Sequence, residues 1–260
     1  MGVTATASGT PTLRMTLHLF LKVLWDDVDE GDSERIEIRS RLFARVFRWK
    51  NQFLEVGFAA TPPLEAFYLL LSWTMTVRRR NGRRIVIIFL VLDVSRAHFH
   101  AFSTREAYIE LPPEDAEEGM VGLLLRTMYG TRDAAMAFDR FATEAMEGAG
   151  YVMGMSTPCV YRHKSEPSVA WRHGDDIIVA GVPHFVDHVT ANLQESMRVK
   201  IRARMGFGPG EDRHIAVLNR GLSQDVLAGR KAWQVELGRE VRLDWARRPE
   251  TRIESSRLWR

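Results

Sequence analysis

A single cysteine, Cys159, stands among the 260 residues of the chain. That excludes an internal disulfide framework and any multi-cysteine zinc site, and it fits the reducing cytosol or nucleus. Long apolar runs are missing too. The longest, Ile85 to Leu92, is eight residues, against the roughly 18 that a membrane helix requires. Leu17 to Leu24 is the only stretch resembling a signal core, and His18 and Lys22 interrupt it. A cytoplasmic or nuclear protein with no membrane partner is therefore expected. Gly2 with Thr6 matches the short myristoylation pattern, but residues 1–13, rich in Thr, Ala, Gly and Ser, read more simply as a flexible leader. Internal repeats, interpretable low-complexity tracts, Gly-x-Ser-x-Gly, Walker and dinucleotide fingerprints are all absent. Net charge is weak as well, at +3. Arginine nevertheless outnumbers lysine, and the basic residues cluster, so local fields matter more than the total.

What is present describes a globular domain. Hydrophobic residues make up 45% and charged residues 27%, too apolar for disorder. Asp26 to Glu34 is acidic and reads as a loop. From Arg35 the chain turns basic, with Arg39, Arg41 and Arg45 interleaved with apolar residues, as in a strand or hairpin with a basic face. Pro62-Pro63 opens a helix carrying Leu64, Phe67, Leu70, Leu71 and Trp73. The basic turn Arg78 to Arg84 leads into Ile85 to Leu92, a continuous apolar run expected to be a buried central strand that ends at Asp93. Ala134 to Gly148 and the four-residue recurrence of Phe185, Val189, Leu193 and Met197 mark helices. Val160-Tyr161, Ser168 to Trp171, Ile177 to Ala180, Val199 to Met205 and His214 to Leu218 read as strands, and Cys159 as a small core residue in one of them. Beyond Arg230 the pattern fades.

Two apolar strands thus carry aspartates at one end: Asp93 after the first, Asp175-Asp176 before Ile177 to Ala180. Carboxylates there are costly unless compensated, and a pair of divalent cations is one compensation. On residue types alone, Gly174-Asp175-Asp176 reads equally well as a plain hairpin turn. Of the remaining candidates, His98 with His100 and His184 with His188 lack a third ligand nearby. The basic strand Arg198 to Arg204 reads by itself as a solvated face, and in a polymerase palm as a contact to nucleic-acid phosphates.

The surrounding blocks extend the comparison. Residues 58–66, Asp93-Val94-Ser95-Arg96-Ala97-His98-Phe99, residues 106–112, Met128-Tyr129-Gly130-Thr131-Arg132-Asp133, residues 158–161 and His173-Gly174-Asp175-Asp176-Ile177-Ile178 follow one another in an order that resembles the reverse transcriptase of copia-type long-terminal-repeat retrotransposons. The resemblance implies an α+β fold, a right-hand polymerase palm with partial fingers, in which a mainly antiparallel sheet carries the aspartates and helices pack on its other face. It implies RNA-directed DNA polymerase activity with two Mg²⁺ (Mn²⁺ as a substitute), dNTPs and an RNA or DNA template-primer, alongside other chains of a retroelement polyprotein. Asp93, Asp175 and Asp176 would be the catalytic carboxylates, with Asp93, Asp175 and the Val94 carbonyl ligating the metals and Asp176 in support. Arg39, Arg41 and His98 would meet the incoming dNTP, and Arg132 would lie near template and nucleotide.

Four residues depart from the family pattern. His173-Gly174 replace an aromatic and an aliphatic residue, His98 replaces the aromatic residue that discriminates the sugar, and Asp133 replaces a glutamine, setting an acid near the template path. The expected organisation is a flexible or acidic segment at 1–34, a reverse-transcriptase-like fingers and palm at 35–220, and an unassigned tail at 221–260, with too little chain after Leu218 for a thumb. The alternatives are a catalytically silent remnant that binds nucleic acid and, less favoured, an unrelated metal-dependent nuclease.

Overall fold

A computed structural model describes residues 3–6, 19–29, 35–36, 38–45, 59–75, 78–218, 220–227 and 230–237. Phe58, Trp259 and residues 7–13 of the leader lie outside them. Along the chain the strands and helices are Val3–Thr6 (β1), Leu19–Asp29 (β2), Ile38–Arg45 (β3), Leu64–Met75 (α1), Arg78–Arg80 (β4), Arg83–Ile85 (β5), Ile88–Val94 (β6), Ala107–Ile109 (β7), Val121–Leu124 (β8), Ala134–Gly148 (α2), Tyr151–Met153 (β9), Val160–His163 (β10), Val169–His173 (β11), Asp176–Gly181 (β12), Pro183–Ser196 (α3), Val199–Met205 (β13), His214–Val217 (β14), Arg220–Leu227 (β15) and Arg230–Leu237 (β16). The class is α+β.

The central sheet has six strands in the order β13-β6-β12-β11-β10-β9. Strand β6, between β13 and β12, is buried along nearly its whole length, because its residues are apolar on both sides of the strand and both faces are covered. Ile88, Leu90, Leu92 and Val94 pack with Phe138, Ala142 and Met146 of α2 and Val186, Val189 and Leu193 of α3. The alternate residues Phe89 and Val91 pack with Phe67, Leu70 and Leu71 of α1 and with Val217 and Leu222. This corrects the expectation of helices on one face only. The strand also starts later than its apolar run: Ile85 pairs with Arg78 in the β4–β5 hairpin and Val86 is exposed.

A second sheet, β1-β8-β7-β2-β3, buries Leu21, Ala44, Ile109, Leu124 and Met128. Two stretches expected to be irregular join it. Val3–Thr6 pairs with Leu124–Val121. Asp26–Asp29, expected in a loop, continues β2 against β3, with Asp26 opposite Arg41 and Val28 opposite Arg39. The one opposite-charge pair, Asp26 with Arg41, helps offset the poor strand propensity of aspartate; Asp27 and Asp29 face Ser40 and Ile38. Past Leu218 the chain continues as β15 and β16, which form a three-stranded sheet with β14.

The connector from β8 to α2 crosses β3 at Gly130. The Ala44 N–H donates to the Tyr129 carbonyl at 2.7 Å. Gly130 has φ +86°, and a Cβ there would overlap the Ala44 carbonyl oxygen. Glycine is what allows the 128–131 segment to lie flat against β3.

Candidate active site

The central strands bring the three aspartates to one corner. β6 and β12 run antiparallel with Asp93 and Asp176 as direct partners, and the Val94 N–H donates to the Asp175 carbonyl at 2.9 Å. Directly opposed residues have Cα atoms about 4.5–5.5 Å apart. Alternation puts Asp93 on the same face as Val91 and Phe89, and Asp176 on that of Ile178 and Ala180, so both carboxylates share the α1 face of the sheet. The turn between β11 and β12 has only Gly174 and Asp175 between the paired His173 and Asp176. A positive φ of 63° at Gly174, the first loop residue, with none at Asp175, is the pattern of a type II′ hairpin turn. The expected tight turn is thus present, and the glycine at this position suits it.

Basic side chains border the cluster. Lys200 on β13 is the strand partner of Asp93. The β6–β13 register slips between Ile201 and Ala203, so Ala203, not Arg202, takes the core position beside Val91. The bulge leaves Arg202 half-exposed, with its guanidinium 3.6 Å from the Asp176 carboxylate. The Asp176 carboxyl is held above the usual carboxylate range by its burial, by Asp175 and by Asp93, against the opposing pull of Arg202 and His173.

Asp175 faces another group. Its charge works against the burial that lowers the His98 pKa. After burial, it is also the main influence raising the Tyr129 hydroxyl, with Arg41 and Arg39 opposing. Asp175, His98, Tyr129, Arg39 and Arg41 therefore share one electrostatic neighbourhood. His98 lies in a one-turn 3-10 helix directly after β6. Its ring sits 4.5 Å from the Tyr129 ring and 6.2 Å from that of Phe138, and its Nδ1 is buried without a hydrogen-bond partner among the described residues. His100 does not join it: that ring bonds to the Ser95 carbonyl and stacks on Phe141. Arg132 is half-buried in the segment leading into α2.

Asp133 is not a bare acid on a template path. It is buried, accepting bonds from Thr104 at 3.0 Å and Arg105 at 2.8 Å. Burial alone would raise its carboxyl, but these bonds outweigh it and hold the carboxyl below its ordinary range.

Carboxylate oxygens are hard donors of the type that Mg²⁺ takes. Among the described residues, however, no three His, Cys, Asp or Glu side chains converge to hold an ion; Asp176 faces Arg202 instead.

A buried polar network behind the turn was missed in the sequence. Arg172 is 2% exposed and bonds to Asp139 of α2, to Tyr161 and to Cys159. Cys159 is not in a strand. It sits in a turn with φ +64°, and its Sγ reaches the Ala60 carbonyl at 3.2 Å. A charged residue directly after the apolar run Ser168 to Trp171 was the available signal.

No family model matches the chain, and no curated protein matches it. Among solved structures, the foamy viral protease-reverse transcriptase in complex with dsDNA is 11% identical with a TM-score of 0.42, over 85% of this chain and 37% of that one. A second structure, of the foamy viral protease-reverse transcriptase dRH in complex with ds DNA, gives 11% and 0.41 over 77% and 31%. The chain thus spans about a third of the length of either. Values this low establish no shared family. No helix among the described residues is long and apolar enough to cross a membrane.

Proposed function

We propose that this chain is the palm and part of the fingers of a reverse transcriptase of copia type, an RNA-directed DNA polymerase. The observation that carries the reading is the direct pairing of Asp93 with Asp176 on adjacent buried strands, with Asp175 in the turn beside them and Arg39, Arg41 and Tyr129 across from it. In this reading Asp93, Asp175 and the Val94 carbonyl would hold two Mg²⁺, with Asp176 in support. The bound ions would activate the primer hydroxyl and neutralise charge on the leaving pyrophosphate. Arg39 and Arg41 hold the triphosphate through charge that persists at every relevant pH. His98 lies beneath the nucleotide sugar, Arg132 beside the template, and the exposed Arg198 and Lys200 along the duplex backbone.

The test is primer extension on an RNA template with dNTPs and Mg²⁺. The wild type should extend, and Asp175→Asn should not. A second reading, a silent remnant that binds nucleic acid, is favoured by one feature: among the described residues the three carboxylates do not converge, and Asp176 lies 3.6 Å from Arg202. That reading expects salt-dependent duplex binding by both proteins and extension by neither. A labelled strand that shortens would favour the nuclease.

A further inference from the structure

Arg172 stands where the fold has no need of a charge. On its face of β11 it follows Ala170, and its strand partner is Ile177. An apolar side chain would fill such a position, whereas desolvating a guanidinium costs several kcal/mol before its partners offset it. Its donors are distributed in a specific way. Nη2 reaches the Asp139 carboxylate and, at 3.2 Å, the Cys159 sulfur; Nε reaches the Tyr161 hydroxyl at 3.4 Å. Tyr161 is tied in turn to Thr143, one helical turn beyond Asp139 on α2, at 3.1 Å. The remaining nitrogen, Nη1, reaches past the end of the strand to the Gly174 carbonyl at 3.4 Å.

That carbonyl belongs to the peptide bond that enters Asp175. Otherwise the turn is held by its own two-residue geometry and the His173–Asp176 pair that closes it. Space for a Cβ at Gly174 is open, with nothing within 4 Å, and across the ladder the Asp175 carbonyl takes the Val94 N–H. We propose that Arg172 is a positioning residue: clamped by Asp139 of α2, it sets the orientation of the Gly174–Asp175 peptide and so the direction of the Asp175 carboxylate. The inference rests on the polymerase reading for its functional consequence, but its structural content is independent of it.

The test compares Arg172→Met, Arg172→Lys and the double variant Arg172→Met with Asp139→Leu. Arg172→Met alone strands the Asp139 carboxylate and should lower Tm. The double variant removes both charges and should recover Tm. A residue that only stabilises the fold would then recover activity as well. A positioning residue would not: kcat for single-nucleotide incorporation should stay down by on the order of 10–100-fold, with KM for dNTP nearly unchanged. Amide exchange at Gly174, Asp175 and Asp176 should be faster than in the wild type, while Ile178 and Leu90 keep their protection. Arg172→Lys, which keeps the charge and loses the fork, should fold and show the same split in milder form, and it decides the matter if the double variant does not fold. A double variant with wild-type kcat and wild-type exchange at the turn overturns the proposal. If the wild type extends no primer, the polymerase reading fails, and the exchange data alone decide for or against positioning.

Discussion

Gly130→Ala tests how the connector from β8 to α2 is docked on β3. Gly130 sits at φ +86°, a region that costs an alanine roughly 1–2 kcal/mol. The added Cβ overlaps the Ala44 carbonyl oxygen and comes within 3.0 and 3.1 Å of the Ala44 carbonyl carbon and amide nitrogen. All three are backbone atoms of a paired strand, so no side-chain rotation relieves the clash. The segment must lift, and the 2.7 Å bond from the Ala44 N–H to the Tyr129 carbonyl goes with it, a further loss of about 1 kcal/mol. The sum is about 2–3 kcal/mol, a large share of the roughly 5–15 kcal/mol that holds a domain together. Urea unfolding should show a lower midpoint with an unchanged slope. Because Tyr129 lies against His98 and within the field of Arg39 and Arg41, nucleotide KM should rise as well. A Gly130→Ala protein with the wild-type midpoint would refute the docking described here.

Two further outcomes follow from buried charge. Asp176→Asn should stabilise the fold at pH 7. A carboxyl raised by burial, Asp175 and Asp93 contributes stability only below the ordinary carboxylate range and loses it as pH rises. Each like-charged neighbour costs up to about 3 kcal/mol before screening, and Arg202 offsets much of it, so a net gain of about 1 kcal/mol is expected. Thermal melts should show the gain at pH 7 and its disappearance on acidification; a lower Tm at pH 7 contradicts the charge arrangement. Cys159 should be inert to thiol reagents at pH 8 in the native protein and react once urea unfolds it. Burial pushes its thiol up to about 11, so the associated stability, about 3 kcal/mol, is complete below pH 9 and lost as pH rises toward 11. Rapid labelling of the native protein would show that the thiol is not enclosed.

The aspartate strands were legible because their signal is local. The run before Asp93 is apolar in both registers, and Gly174-Asp175 carries the chemistry of a two-residue hairpin. What escaped depends on partners distant in sequence. Asp26 to Asp29 looks like a loop until Arg39 and Arg41 are set opposite. Ile85 looks like part of the central strand until its pairing with Arg78 is known. The Arg172 network joins positions 13 and 33 residues apart, and the Cys159 contact to Ala60 spans 99. The bulge that frees Arg202 from the core leaves no mark in the alternation of Lys200, Arg202 and Arg204.

The central claim is that Asp93, Asp175 and Asp176 act together on a metal-bound nucleotide. Rapid-quench incorporation of a single dNTP into an RNA-templated primer, titrated with Mg²⁺, tests it most directly. The account predicts saturable, Mg²⁺-dependent addition of one nucleotide by the wild type, and loss of that addition in Asp93→Asn and Asp175→Asn with template-primer binding retained. Addition that persists in either variant, or a folded wild type that binds the duplex and adds nothing at any Mg²⁺ concentration, would contradict it.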